Sequence, residues 1–418
     1  MRRYGGFALL ALALCALVPA GVAAKTFKPT RLDDPVADGC KKNDCSLREA
    51  VIKANARPGP DVIRLKEGTY EIELAFGDAP QADGLDVFSE IDIRGAGTAQ
   101  TRIDGNGIDR PIEIGAGITA ANMDVTLERL TLTGGDAGAA TAGNGDSSGG
   151  GVVAYRAEAL TLRRVLITGN EAQFGGGVRS FGDQTLSIKQ STIAGNNAAE
   201  GGGLDLRSNL DAGPSKKAKI SASTISGNFA AKGAGIIIDG HPATGEVPSL
   251  KMMNSTVAGN MASGDGGGIY ADNEAKVNLD NVSIGFNKAN DDNAGGGSGG
   301  GIVQHSAAVF KVKDSVLASN GFGTGGSDEE CLGTFTGKGN AVNAPTGCTS
   351  FNGSGNTVPA TLIANPLADN GGPTETMSIP ESSPAAGFAR TCPKRDQRGR
   401  LRPHQHCDSG SYEDHPID

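Results

Sequence analysis

Apolar residues along the middle of the chain fall in short alternating runs: Leu160-Thr161-Leu162, Leu186-Ser187-Ile188, Leu250-Lys251-Met252, Val277-Asn278-Leu279 and Phe310-Lys311-Val312. A period of two predicts strands with one face inward and one outward. Each run leads to a second short apolar stretch, such as Thr192-Ile193, Thr224-Ile225 or Thr256-Val257, and then to a fixed phrase. Ile167-Thr168-Gly169-Asn170 precedes Gly175-Gly176-Gly177-Val178, and Ile193-Ala194-Gly195-Asn196 precedes Gly201-Gly202-Gly203-Leu204. Gly227-Asn228 precedes Gly233-Ala234-Gly235-Ile236, and Gly259-Asn260 precedes Gly266-Gly267-Gly268-Ile269. Looser copies run from Ile284 to Asn287, before Gly299-Gly300-Gly301-Ile302, and from Val316 to Asn320. The Asn-to-Asn steps of 26, 32, 32, 27 and 33 residues are the period of a stacked solenoid. Three strands per repeat fit an all-β parallel β-helix better than a leucine-rich or helical solenoid.

Counting from the last glycine of each cluster assigns faces. Position +1 is Val152, Val178, Leu204, Ile236, Ile269 and Ile302, always apolar and therefore inward. Position +3 is mostly small or apolar and also inward, which predicts that +2 and +4 face solvent. The recurring Asn and Gly read as scaffold. Asn tolerates left-handed backbone, and its amide, repeated at one position, builds a ladder from coil to coil.

Residues 25–75 precede the repeats. Ser46 and Glu49 form a capping box, and Leu47, Ala50, Val51 and Ala54 give the following helix one apolar face. Pro58-Gly59-Pro60 stops it, and strands are expected at Val62–Leu65 and Thr69–Leu74. Such a helix covers the apolar end of a stack. Cys45-Ser46-Leu47-Arg48-Glu49-Ala50, followed by Ala54-Asn55, Asp61-Val62-Ile63 and Gly68-Thr69-Tyr70, resembles the CSLREA domain of exported bacterial proteins. The segments Asn370 to Thr374, Ser383-Pro384-Ala385, Asp396 to Gly399, Arg402-Pro403 and Cys407 to Glu413 resemble the C-terminal region of choice-of-anchor Q proteins. The repeat phrases are loosely similar to those of polymorphic outer-membrane proteins. The resemblance implies a right-handed parallel β-helix of the pectin-lyase-like kind between the two ends and an exported surface or extracellular role. It carries no agreed catalytic residues. The expected organisation is a leader over 1–24, a cap over 25–75, repeats over 76–335 and a C-terminal region over 336–418. The chain stops five residues after Glu413 with neither an apolar tail nor barrel-forming strands. Release, or retention by another component, is the expectation.

Composition sharpens this picture. Gly makes up 64 of 418 residues and Trp is absent, which suits thin coils rather than a thick core. Arg2, Arg3, the apolar stretch Phe7–Val18 and Val22-Ala23-Ala24 read as a cleavable export signal, too short in its apolar part to span a bilayer. No later segment could span one. Six cysteines remain, Cys40, Cys45, Cys331, Cys348, Cys392 and Cys407, an even count that argues for disulfides in an exported chain. Sequence-local pairing is the simplest of about 15 connectivities. Loss of the leader, with two Arg and no acids, takes the formal charge from −9 to −11, which argues against non-specific nucleic-acid binding.

The face left for chemistry is the strand after each glycine cluster. Position +4 reads Tyr155, Phe181, Arg207, Asp239, Asp272 and His305, and position +2 adds Arg179, Asp205 and Tyr270. Strands about 4.8 Å apart make this a stripe of roughly 24 Å. Aromatics, charges and a histidine in one strip suit a polysaccharide or cell-surface glycan. An adhesin-like or glycan-binding module is therefore the first expectation, a polysaccharide lyase or glycoside hydrolase the second, and a structural spacer the third. For catalysis the candidates are the neighbours Asp239 and Asp272, with Arg207 or His305 as base. No cofactor is expected. Calcium would need clustered carboxylates, and Asp291-Asp292 and Asp328-Glu329-Glu330 read as exposed loops. The Asp-Asp plus Gly-His-Gly pattern similar to that of polygalacturonases is absent.

Overall fold

The structure, a computed structural model, describes residues 23–418 apart from 58, 75–84, 116–122, 139–146, 156, 182–184, 208–215, 242, 244, 246, 295, 324–328, 344–346, 350, 352–354, 360, 362–363 and 418. The export signal therefore lies almost wholly outside the described residues, as does Asp328.

The chain is a parallel β-helix. The alternating runs stack as a first sheet, in which Ala159–Arg163 pairs with Thr185–Lys189, and that strand pairs with Lys217–Ser221. The pairing keeps Leu162, Ile188, Ile220, Met252, Leu279 and Val312 in one inward column, each about 1% exposed or less. Leu166–Thr168, Thr192–Ala194 and Thr224–Ser226 form a second sheet. The strands after the glycine clusters form another, from Val152–Ala154 and Val178–Ser180 through Leu204–Arg207, Ile236–Asp239 and Ile269–Asp272 to Ile302–Gln304. The sequence predicts these three strands per coil but misses a fourth. Glu171–Phe174, Asn197–Glu200 and their successors down to Gly321–Phe322 form a separate six-stranded sheet between the Gly-Asn phrase and the glycines.

The asparagines form the expected ladder. The side-chain amide of Asn170 donates to Oδ1 of Asn196 at 2.9 Å, and the pattern repeats from Asn196 to Asn228, Asn260, Asn287 and Asn320 at 2.8 to 3.0 Å. Each Oδ1 also accepts the backbone N–H of the preceding asparagine. None of these asparagines is left-handed. The residue before them is: Gly169, Gly195, Gly227 and Gly259 lie at φ between 59° and 66°, and Phe286 and Ser319 take the same conformation in the last two coils. Asn is therefore kept for its amide, and the turn is made by its neighbour. The ladder ends at Glu330, fully buried rather than in an exposed loop, whose Oε2 accepts the Asn320 amide. A second ladder, unforeseen, runs at another corner: backbone N–H groups of Val165, Ser191 and Ser223 donate to the hydroxyls of Ser191, Ser223 and Ser255.

Both ends are closed. The helix Leu47–Asn55 has the predicted capping box, with Ser46 and Glu49 bonding reciprocally. Arg48 makes a two-point ion pair with Asp34 at 2.7 and 2.8 Å, both buried, and Cys45 is bonded to Cys40. Every residue of the hexapeptide Cys45–Ala50 is thus occupied in building the cap. The strands after it are not a separate unit. Asp61–Arg64 pairs with Ile91–Arg94 and Gly68–Glu71 with Thr101–Asp104, so the first coil begins inside the region read as cap. At the other end Phe310 meets Phe335 edge-to-face and Phe335 stacks on Phe351, both at centroid spacings of 5.3 Å, and Cys331 is bonded to Cys348.

The C-terminal region then turns back along the flank of the second sheet. Gln397 bonds Thr224 and Thr256, Ser411 bonds Thr256 and Ser283, and the Arg390 and Thr391 N–H groups bond Asp314. A Cβ on Gly285 would lie 2.3 Å from Cε of Met377, so the glycine is where the returning chain inserts its methionine. Within this segment Arg402, wholly buried, donates to Glu413 at 3.0 Å and to the carbonyls of Asp408 and Gly410, and Cys392 is bonded to Cys407.

Candidate functional site

The strand pairing aligns the +4 column as counted. Arg207, Asp239 and Asp272 are direct register partners, and Tyr155 and Phe181 follow register pairs one residue earlier. Tyr155, Phe181, Arg207, Asp239 and Asp272 are half-buried, and His305 is exposed.

The +2 column differs from expectation. Asp205 and Tyr270 are buried, at 0% and 2%, and Ile237 and Val303 join Tyr270 in a small apolar cluster. The cause lies in the glycine turn. Gly175, Gly201 and Gly266 adopt φ near +70°, and a Cβ on Gly266 would meet Cβ of Tyr270 at 2.8 Å. The turn lies flat on the +2 column, and the residue before it folds over the side chain there. Lys232 sits 4.4 Å from the Tyr270 ring, and Phe174 lies 4.6 Å from the Arg179 guanidinium. Asp205, Tyr270 and most of Arg179 therefore act beneath the surface.

At the first end Tyr155 and Phe181 stack nearly parallel, 6° apart with centroids 5.3 Å apart, and the Arg179 guanidinium lies 4.0 Å from the Phe181 centroid. Each ring gives one face to the other, and Arg179 lies against Phe181, so the pair presents mainly ring edge outward. Next come two arginines around one carboxylate. Asp205 lies 3.6 Å from Nε of Arg179 and 3.4 Å from Nε of Arg207. Burial pushes the Asp205 carboxyl up against the pull of Arg207 and Arg179. Glu200 also pairs with Arg207, and Lys216 binds the carbonyls of Ser180 and Arg207.

At the far end two carboxylates are treated differently. Burial raises Asp239, with the Asp272 charge adding to it, although Asn273 Nδ2 donates to Asp239 Oδ1 at 2.8 Å. Burial acts on Asp272 too, but hydrogen bonds from His305, the Asn273 N–H and Ser306 outweigh it and hold the group low. His305 Nδ1 is 2.9 Å from Asp272 Oδ1, and its ring stacks 5.8 Å from that of Tyr270. Burial raises the Tyr270 phenol, and the Asp272 charge adds to this. Two carboxylates one strand apart and pushed in opposite directions are the arrangement that separates an acid from a base. Among the described residues no group of three or more His, Cys, Asp or Glu side chains could hold a metal.

Glu200, Lys216, Lys232 and Asn273 were not anticipated. Glu200 and Lys232 sit one residue before the glycine clusters, so counting backward from the glycines would have found them.

The six cysteines pair locally, with Cα separations of 4.2, 5.3 and 5.7 Å. No helix among the described residues is long and apolar enough to cross a membrane, which says nothing of β-barrels. No family model matches the sequence, and no curated protein matches it. Among solved structures the chain is similar to a crystal structure of pectate lyase Pel9A, at 13% identity over 94% of this chain and 97% of that one, with a TM-score of 0.49.

Proposed function

We propose that the chain is an exported β-helix protein that binds a polysaccharide along the sheet following the glycine clusters. The observation that carries this reading is the register-aligned column from Tyr155 through Phe181, Arg207, Asp239 and Asp272 to His305. It offers ring edges, a cation and carboxylates at a repeat of about 4.8 Å, close to the scale on which an extended glycan presents its hydroxyls. The resemblance of the cap to CSLREA domains and of the tail to choice-of-anchor Q proteins supports export, as do three disulfides. Calorimetric titration against neutral and acidic polysaccharides tests it. Binding by the native chain, weakened at least tenfold in Tyr155→Ala and Asp239→Asn with melting temperatures within a few degrees of the native value, is the expected result. Absence of binding across the panel, or unaltered binding by both variants, overturns it.

The opposite shifts of Asp239 and Asp272 favour a second reading, glycosidic-bond cleavage with Asp239 as acid and Asp272 as its ionised partner. New reducing ends lost in Asp239→Asn would establish it, unsaturated products would redirect it to elimination, and neither product would leave binding alone.

A further inference from the structure

The corner between the first and second sheets carries one left-handed residue per coil: Arg129, Arg164, Gln190, Ala222, Asn254, Asn281 and Asp314, at φ between 45° and 57°. Asn and Asp take this conformation readily, whereas Arg and Gln take it at a cost of about 1 kcal/mol or more. The division follows the returning tail. Asn254 and Asp314 bond the tail, through Arg395 O and the Arg390 and Thr391 N–H groups. Arg129, Arg164 and Gln190 stand in coils to which no tail hydrogen bond runs among the described residues, and they line a cleft of about 470 Å³. The loop Ala96–Gln100 forms one wall, held by the Thr131 hydroxyl donating to Thr98 O at 2.8 Å, and Pro373 of the tail closes the other end. Val165 and Leu166 give part of the lining an apolar character.

Both guanidiniums lack a carboxylate among the described residues. Arg164 Nε bonds Gln190 Oε1 at 3.2 Å, and Arg129 Nη2 bonds Ala96 O. In a chain of formal charge −9, two adjacent arginines left to a carbonyl and an amide mark a place for an anion. The apolar patch beside them suits the C–H face of a ring rather than a bare ion.

We propose that this cleft is a second carbohydrate site, separate from the column described above, that takes a pyranose bearing a sulfate or carboxylate group. Arg129 and Arg164 clasp the anionic group, Gln190 orients Arg164, and Leu166 and Pro373 lie against the ring.

The test uses the full mature chain with dextran sulfate, neutral dextran of equal length and sodium sulfate. The expected result is that dextran sulfate binds at least tenfold more tightly than dextran and slows amide exchange in Ala96–Gln100. Affinity should fall at least fivefold in Arg164→Gln, whose side chain does not hold the loop, and at least twentyfold in Arg129→Gln/Arg164→Gln. Exchange of the column strands Val178–Ser180 and Leu204–Arg207, read in the same experiment, reports on the column separately from Ala96–Gln100, so failure here and failure of the column reading are distinguishable. Unchanged binding in the double variant, or no protection of Ala96–Gln100, overturns the proposal. Equal protection by sodium sulfate at the same sulfate concentration reassigns the cleft to a free oxyanion and overturns the sugar assignment.

Discussion

Asn320 donates the last amide of the asparagine ladder to Glu330, a carboxylate without exposed surface. Six amide rungs therefore end on a buried carboxyl acceptor, and each rung from Asn196 to Asn320 already accepts two donors. Replacing an inner rung weakens both sides: in Asn228→Ala the Asn196 backbone N–H and side-chain amide lose the Asn228 Oδ1 they share, and Asn260 Oδ1 loses one of its two donors, the Asn228 amide, keeping the backbone N–H of residue 228. The expected cost is about 2–3 kcal/mol by denaturant unfolding.

The turn before each rung allows a cleaner backbone measurement. Gly259 lies at φ +66° and a Cβ there would meet nothing within 4 Å. Gly259→Ala should then cost about 1 kcal/mol from backbone conformation alone. Ser319→Gly, at the same corner, should be neutral or slightly stabilising. A larger loss in Gly259→Ala would mean that packing rather than conformation selects the residue.

Asp205 distinguishes support from contact. It is buried between Arg179 and Arg207, and removing it leaves both guanidiniums without their shared anion. Asp205→Ala should lower stability by about 3–5 kcal/mol, whereas Asp239→Asn should leave the melting temperature within a few degrees.

Glu413 gives the tail a pH dependence. Burial, and then the Asp408 charge, push its carboxyl up to about 7 against the pull of Arg402. A folded value above the ordinary carboxylate range means that the native state holds the proton more tightly. Its contribution is therefore complete below about pH 4.5 and is lost as pH rises through 7. The melting temperature of Glu413→Gln should fall less between pH 5 and about 8 than that of the native chain.

His305 sets the state of Asp272. Without its hydrogen bond, only the Asn273 N–H and Ser306 are left to oppose burial, so His305→Ala should move the Asp272 midpoint upward, read by carboxyl carbon NMR titration.

The coil period, the inward columns, the asparagine ladder and the capping box were all legible because each is a local or strictly periodic signal. The burial of Asp205 and Tyr270 was not, because the alternation of a strand says which side a residue faces and nothing of what folds over that side. Glu200 and Lys232 were overlooked for the same reason. The tail left still less trace: Thr224 meets Gln397 across 173 residues, through single hydroxyls and amides that repeat nowhere. The column itself was legible from glycine counting alone, since parallel pairing keeps Arg207, Asp239 and Asp272 in step.

The returning tail also sets where the protein is free to change length. A coil such as the 26 residues from Asn170 to Asn196 touches only its neighbours, and its duplication would add one rung to each ladder and one residue to the outer column. From Thr224 to Asp314 the coils are matched to fixed tail residues, Gln397 bridging Thr224 and Thr256 and Ser411 bridging Thr256 and Ser283, so adding or deleting a coil there would put the later partners out of step. The stack is extensible in its first half and fixed in count in its second, and variants of different length are expected to differ before Thr224.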